Sequence, residues 1–191
     1  TFFMEFLMNP EGITKLLDEL TDLTINFTKK QEELIGDALV LPGHGFASSR
    51  KWEGLGLSSD VISMISPEDY KTFELPCIKR IGDAFGGAVF HSCGKWAEKI
   101  DAIKAIPNLI MVDAAFSDET DPDSNPCEPF RDAFAGTNVV VNARIVGNAD
   151  TIEEKVKKLW KPGMKLIVVT YCDTPDEQAK AYDTIHKICS G

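Results

Sequence analysis

Residues 138–170 read NVVVNARIVGNADTIEEKVKKLWKPGMKLIVVT. Asn138-Val-Val-Val-Asn142 and Lys165-Leu-Ile-Val-Val-Thr170 are short runs that are apolar on both faces. Between them Asp150 is placed to cap a helix, with Glu153 three residues on as in a capping box. Two such strands joined through a helix belong to a parallel sheet covered by helices. The alternation continues outward in both directions. Leu109-Ile-Met-Val-Asp113, Ala88-Val-Phe-His91 and Asp37-Ala-Leu-Val-Leu41 read as three earlier strands. Asn9-Pro10 offers an N-cap and a first-turn proline for a helix that ends at Gly36. Ser66-Pro67-Glu68-Asp69 opens a second helix running to about Phe85, and a third covers Lys95 to Ala105. Residues 43–66 and the acidic, proline-rich residues 117–129 read as loops, followed by a short helix from Phe130 to Phe134. Thr174-Pro175-Asp176-Glu177 caps a last helix ending near Ile188. The fold class is α/β. Five parallel strands fit either an open doubly wound sheet or a (β/α)8 barrel of which only part is present.

The 191 residues are 43% hydrophobic and 26% charged, which suits one globular domain over 1–191. A formal net charge of -10 without a basic block argues against nucleic acid and against an anionic membrane surface. No apolar run approaches the roughly 20 residues that cross a bilayer, and no signal-peptide pattern opens the chain. Five cysteines at irregular spacing do not form a disulfide framework. They point to a reducing cytoplasm, with thiols available as ligands. A first residue of Thr1 leads us to expect a fragment or a processed chain.

Polar, metal-capable residues fall at or just beyond the strand ends: His44, then His91 and Cys93, then Asp113, then Asn142 and Arg144, then Cys172. In parallel α/β folds the carboxyl ends of the strands share one rim, and ligands bind there. Residues two apart on an extended chain point to the same side, so His91 and Cys93 can grip one ion. With Cys172 they would make three nitrogen and sulfur ligands and leave a fourth position open, the layout of a catalytic zinc. The opposing reading is that buried cysteines are inert small hydrophobes. His44, between two glycines, either meets substrate, adds a ligand or is a hydrogen-bonded loop residue. Asp113 either orients a ligand, binds substrate or caps a turn. Asn142 and Arg144 could hold a carboxylate, a sulfonate or a pterin-type group, and Arg144 could equally be a structural ion pair. Trp52 and Trp96 are placed to cover the rim, while Trp160, Cys77, Cys127, Cys189 and His186 read as packing, incidental or surface residues.

At these residues the chain resembles the uroporphyrinogen decarboxylase superfamily, which includes corrinoid-dependent methyltransferases. The matching features run in order from the helix at Leu20-Thr-Asp22 through Gly36-Asp37-Ala38, Ser66-Pro67 and Pro76 to His91-Ser-Cys93-Gly94, Asp113 and Cys172-Asp-Thr-Pro175. The resemblance implies a TIM-type (β/α)8 barrel of which this chain is the last five or so β/α units. It also implies the zinc-dependent branch, with His91, Cys93 and Cys172 as ligands. Decarboxylases of the family carry a histidine where Cys172 stands and lack the His-x-Cys-Gly turn. The expected reaction is methyl transfer from methylcobalamin, carried by a partner corrinoid protein, to a thiol such as coenzyme M. Two alternatives remain: decarboxylation of porphyrinogen carboxylates, and an incomplete barrel that is inactive until it self-associates or pairs with another chain.

Overall fold

The structure is a computed structural model that describes residues 2–40 and 53–190. His44 and Trp52 lie outside the described residues. In chain order the elements are helices α1 (Phe2–Met8) and α2 (Pro10–Ile35), strand β1 (Leu55–Ser58), helices α3 (Pro67–Asp69) and α4 (Leu75–Ala84), strand β2 (Ala88–His91), helix α5 (Ile100–Lys104), strand β3 (Leu109–Ala115), helix α6 (Cys127–Phe134), strand β4 (Val140–Arg144), helix α7 (Ala149–Leu159), strand β5 (Lys165–Val169) and helix α8 (Pro175–Cys189). The strands form one α/β sheet in the order β1-β2-β3-β4-β5. Each strand thus neighbours its predecessor in sequence, with helix between. The chain divides into two compact units, Thr1–Phe90 with Asp101–Leu109, and His91–Ile100 with Ile110–Gly191.

In the first unit α2 starts as its sequence predicts. Asn9 Oδ1 accepts from Gly12 N at 3.0 Å, and Pro10 fills the first turn, where no donor is needed. Ile13, with Leu17 beside it, packs on Phe6 and Phe73, whose rings meet edge-on at 5.1 Å. The buried Thr21 satisfies its hydroxyl on Leu17 O, four residues back. The helix expected from Ser66 to Phe85 is interrupted by a π turn at Tyr70–Glu74, just ahead of Pro76. A proline has no donor for the turn before it, and the widened turn absorbs that loss. The strand expected at 37–41 is not formed over its described residues: Gly36–Ala38 make a 3₁₀ turn instead. The first strand among the described residues is Leu55–Ser58, inside a stretch that reads as loop.

In the second unit β4 pairs in parallel with β3 and with β5. Asp113 stands opposite Asn142, and Ala115 opposite Arg144. From Met111 to Ala115 every residue of β3 is buried, the signature of a strand covered on both faces. Trp96, Phe116, Phe130 and Phe134 are fully buried and stack edge-on or tilted around Phe130, with centroids 4.6–6.1 Å apart. Trp96 is therefore core, not a cover over the rim. Cys127, which reads as a loop residue, is the buried first residue of α6, a helix that tolerates Pro129 because it falls in the first turn. The cap of α7 is Asn148, whose Oδ1 accepts from Thr151 N at 2.9 Å, so Asp150 lies inside the first turn. Helix α8 carries the expected capping box between Thr174 and Glu177. No helix among the described residues is long and apolar enough to cross a membrane.

Candidate functional site

The second unit gathers His91, Cys93, Asp113, Asn142 and Arg144 into one hydrogen-bonded cluster. His91 ends β2 and is 8% exposed. Asp113, 2% exposed, sits within β3 rather than after it. Asn142 and Arg144 likewise belong to β4, because the strand runs two residues further than its apolar run suggests. Successive side chains of a strand alternate in face, so Asn142 and Arg144 share one side, with Asp113 alongside.

The Asp113 carboxylate is the hub. Its Oδ2 lies 2.6 Å from His91 Nδ1 and accepts from Arg144 Nε at 3.0 Å. Its Oδ1 accepts from Asn142 Nδ2 at 2.5 Å. A carboxylate can only accept, so in the neutral imidazole Nδ1 carries the proton and Nε2 presents its lone pair. Arg144 balances the buried negative charge and also reaches Ser92 O at 3.4 Å. Asn142 Oδ1 is buried with no hydrogen-bond partner, an acceptor on the same strand face.

His91 Nε2 points at Cys93 Sγ, 3.6 Å away. Zinc bonds of about 2.0–2.1 Å to nitrogen and about 2.3 Å to sulfur at the tetrahedral angle place the two ligand atoms about 3.5 Å apart. The pair therefore already has the spacing of two ligands on one tetrahedral zinc. The charge-balanced carboxylate behind the imidazole is the customary partner of a metal-bound histidine. His91 and Cys93 thus fit the metal, and the side chain of Cys93 is exposed enough to admit it.

Cys172 is half-buried, three residues beyond the end of β5. Among the described residues its sulfur does not join the ligand atoms of His91 and Cys93 within a 4.8 Å group. Val169, the last residue of β5, is in register with Arg144, so the chain leaves the sheet at the level of the cluster. His44 lies outside the described residues.

Two residues that no pattern in the sequence marked hold the His-x-Cys turn in place. Asn125, fully buried, accepts from Trp96 N at 2.8 Å and Ala97 N at 3.1 Å, and donates to Gly94 O at 2.9 Å. Asp121 Oδ2 accepts from Gly94 N at 2.6 Å. Gly94 itself has φ +73°, a left-handed conformation that glycine adopts at little cost. The acidic segment after β3 is thus a clasp rather than a free loop.

The sequence model of the family described as Uroporphyrinogen decarboxylase (URO-D) matches residues 1–165. No curated protein matches the chain.

Proposed function

The chain belongs to the uroporphyrinogen decarboxylase family, and within that family of enzymes we propose that it is a zinc-dependent methyltransferase acting on a thiol. Its ligands are His91, Cys93 and Cys172. The methyl group comes from a methylated corrinoid on a partner protein, and the acceptor is a small thiol such as coenzyme M. The observation that carries this reading is the 3.6 Å approach of His91 Nε2 to Cys93 Sγ, with Nδ1 held by Asp113.

The chemistry that zinc supplies when bound is to hold a thiol deprotonated at neutral pH, where a free thiol with a pKa near 8.5 is mostly protonated. Everything else is done by this chain. Asp113 fixes the ring of His91 by accepting from Nδ1, the orientation that turns Nε2 towards Cys93. Arg144 pairs with the Asp113 carboxylate and balances its charge beside the imidazole. Asn125 and Asp121 pin the turn that carries Cys93. Asn142 Oδ1 is available to accept from a polar hydrogen of the acceptor substrate. Cys172 lies three residues past β5, a stretch of chain that spans at most about 10 Å. It also lies beyond the residues that the family match covers.

The test is metal analysis of the purified chain. Zinc near one equivalent is expected, and His91→Ala, Cys93→Ala or Cys172→Ala should each abolish it. An unaltered stoichiometry in all three variants refutes the ligand set.

A second reading is decarboxylation of a porphyrinogen carboxylate, favoured by Arg144, which is partly exposed and could pair with a substrate carboxylate. Tetrapyrrole binding by a chain that takes up no zinc would select it. Loss of activity in the separate chain, with recovery on adding a partner chain, would select the incomplete-barrel reading.

A further inference from the structure

We infer that a cavity in the first unit, walled by α2, β1 and α4, binds a small primary amine with an apolar tail, its ammonium group held by Glu74. The cavity measures about 250 Å³. At about 30 Å³ per water molecule, that is room for roughly eight small groups. Its walls are Leu17 and Leu20 of α2, Leu57 of β1, and Ile78 and Ile81 of α4. Leu20 is 48% exposed and stands at the mouth. Apolar walls with a few convergent polar groups are the usual form of a small-molecule site. Here most of the polar atoms are already used. Thr21 Oγ1 donates to Leu17 O at 2.7 Å, Thr24 Oγ1 to Leu20 O at 2.8 Å, Ser58 Oγ to Asp60 Oδ2 at 3.2 Å and Cys77 Sγ to Phe73 O at 3.4 Å. Glu74 is the exception. Its Oε2 accepts from Ser59 Oγ, while its Oε1 accepts from no described residue.

The charge around that carboxyl selects a cation. Among the described residues no lysine or arginine pairs with Glu74. Arg80 of α4 is taken by Asp18 and Asp22 of α2, a group that is itself negative by one charge. Burial pushes the Glu74 carboxyl up, and it does the same to the Tyr70 hydroxyl of the π turn and the Cys77 thiol of α4. The titratable groups nearest Glu74 are thus neutral acids that give it no counter-ion. Ionising a buried carboxyl without a partner is costly. A bound ammonium supplies the partner: its N–H donates to Oε1, the carboxyl releases its proton to solvent, and the alkyl tail lies on the leucines and isoleucines. An alcohol would leave the charge uncompensated, and a carboxylate ligand would add to it. The cavity belongs wholly to the first unit, so the inference does not rest on the zinc reading.

The test is calorimetric titration of the whole chain with hexylamine, hexan-1-ol and hexanoate. Hexylamine is expected to bind at about 1 mM or tighter, within reach of a ligand of its size. Hexan-1-ol should bind at least about tenfold more weakly, and hexanoate more weakly still. Glu74→Gln should weaken hexylamine about tenfold and leave hexan-1-ol unchanged. In the parent, hexylamine should bind more tightly as pH rises above the ordinary carboxylate range, and in Glu74→Gln that trend should vanish. Thr24→Phe, which fills the cavity from α2 without altering the net charge, should abolish binding of both the amine and the alcohol. It thereby separates the cavity from a general attraction of cations to an acidic chain. Far-ultraviolet circular dichroism of both variants should match the parent. Hexylamine that fails to bind by about 10 mM overturns the inference, as does hexylamine binding that survives Thr24→Phe. Equal affinity for amine and alcohol, or indifference of the amine to Glu74→Gln, overturns the role of Glu74 and with it the choice of an amine.

Discussion

Asp113 receives three donors on two oxygens, from His91, Arg144 and Asn142. Replacing it by Asn keeps the size but removes the charge. The amide would present Nδ2 to one of those three donors, and the Arg144 guanidinium would lose its counter-ion. Asp113→Asn is therefore expected to weaken zinc binding by about 10–100-fold, the usual cost of losing a carboxylate behind a metal-bound histidine. Competition with a chromophoric chelator measures it, and an affinity within a factor of two of the parent would remove Asp113 from the site. At this scale the sequence was informative where chemistry has a spacing. The interval of two between His91 and Cys93 on an extended chain was enough to join them. It was silent on Asn125 and Asp121, which act through backbone groups of a turn 27 to 31 residues away in sequence. Any polar residue in that acidic stretch could have done so.

Among the elements, the π turn at Tyr70–Glu74 carries a titration of its own. Glu74 Oε2 accepts from Ser59 Oγ, but the stronger influence is burial, which pushes the Glu74 carboxyl above its ordinary range. A folded-state pKa above the unfolded one means that the folded chain holds this proton more tightly. The stability so gained is complete below the ordinary carboxylate range and is lost as pH rises through the folded value. Glu74→Gln keeps a neutral side chain at every pH. The gap between the melting temperatures of Glu74→Gln and the parent should therefore grow in favour of Gln as pH rises from about 4 to about 7. A constant gap would show that Glu74 does not titrate in that interval. Elements were legible wherever their period was long enough. Helix α2 and the strands β2 to β5 appear close to where their apolar runs predict. Strand β1 was missed because Leu-Gly-Leu-Ser is four residues with an internal glycine and no β-branched member. The apolar run after Gly36 was misread because it has the right composition for a strand, yet it begins in a 3₁₀ turn that closes α2.

For the molecule as a whole, the order of the sheet follows the order of the chain. Parallel neighbours put their carboxyl ends at one rim, so the proposed ligands Cys93 and Cys172, 79 residues apart along the sequence, both follow strands that end there. Zinc binding would then tie the end of β2 to the segment after β5, and its binding energy would appear as stability. At zinc about 100-fold above the dissociation constant the gain is about 2.7 kcal/mol. For a chain of this size that is a rise of about 5–10 °C in melting temperature. A thermal melt with and without a chelator reads it, and Cys172→Ala should melt at the chelated temperature under both conditions. A zinc-induced rise retained in Cys172→Ala would assign the third ligand elsewhere. The family was legible from the features that run from the Leu20-Thr-Asp22 helix to Asp113, all within the residues the family match covers. The choice between its chemistries rests on the ion those residues can hold.

The pairing of Asp113 with Asn142, and of Ala115 with Arg144, also bears on how this chain can change over generations. Substitutions in β3 and β4 exchange one group for another at a fixed height above the sheet. A single codon gained or lost ahead of Asn142 would instead rotate the rest of the strand by half a turn, sending both the amide and the guanidinium to the helix side and bringing Val141 and Ala143 into their place. Homologues should therefore vary freely in length at the connection 145–148 and keep β4 at constant length, even where its residues have drifted.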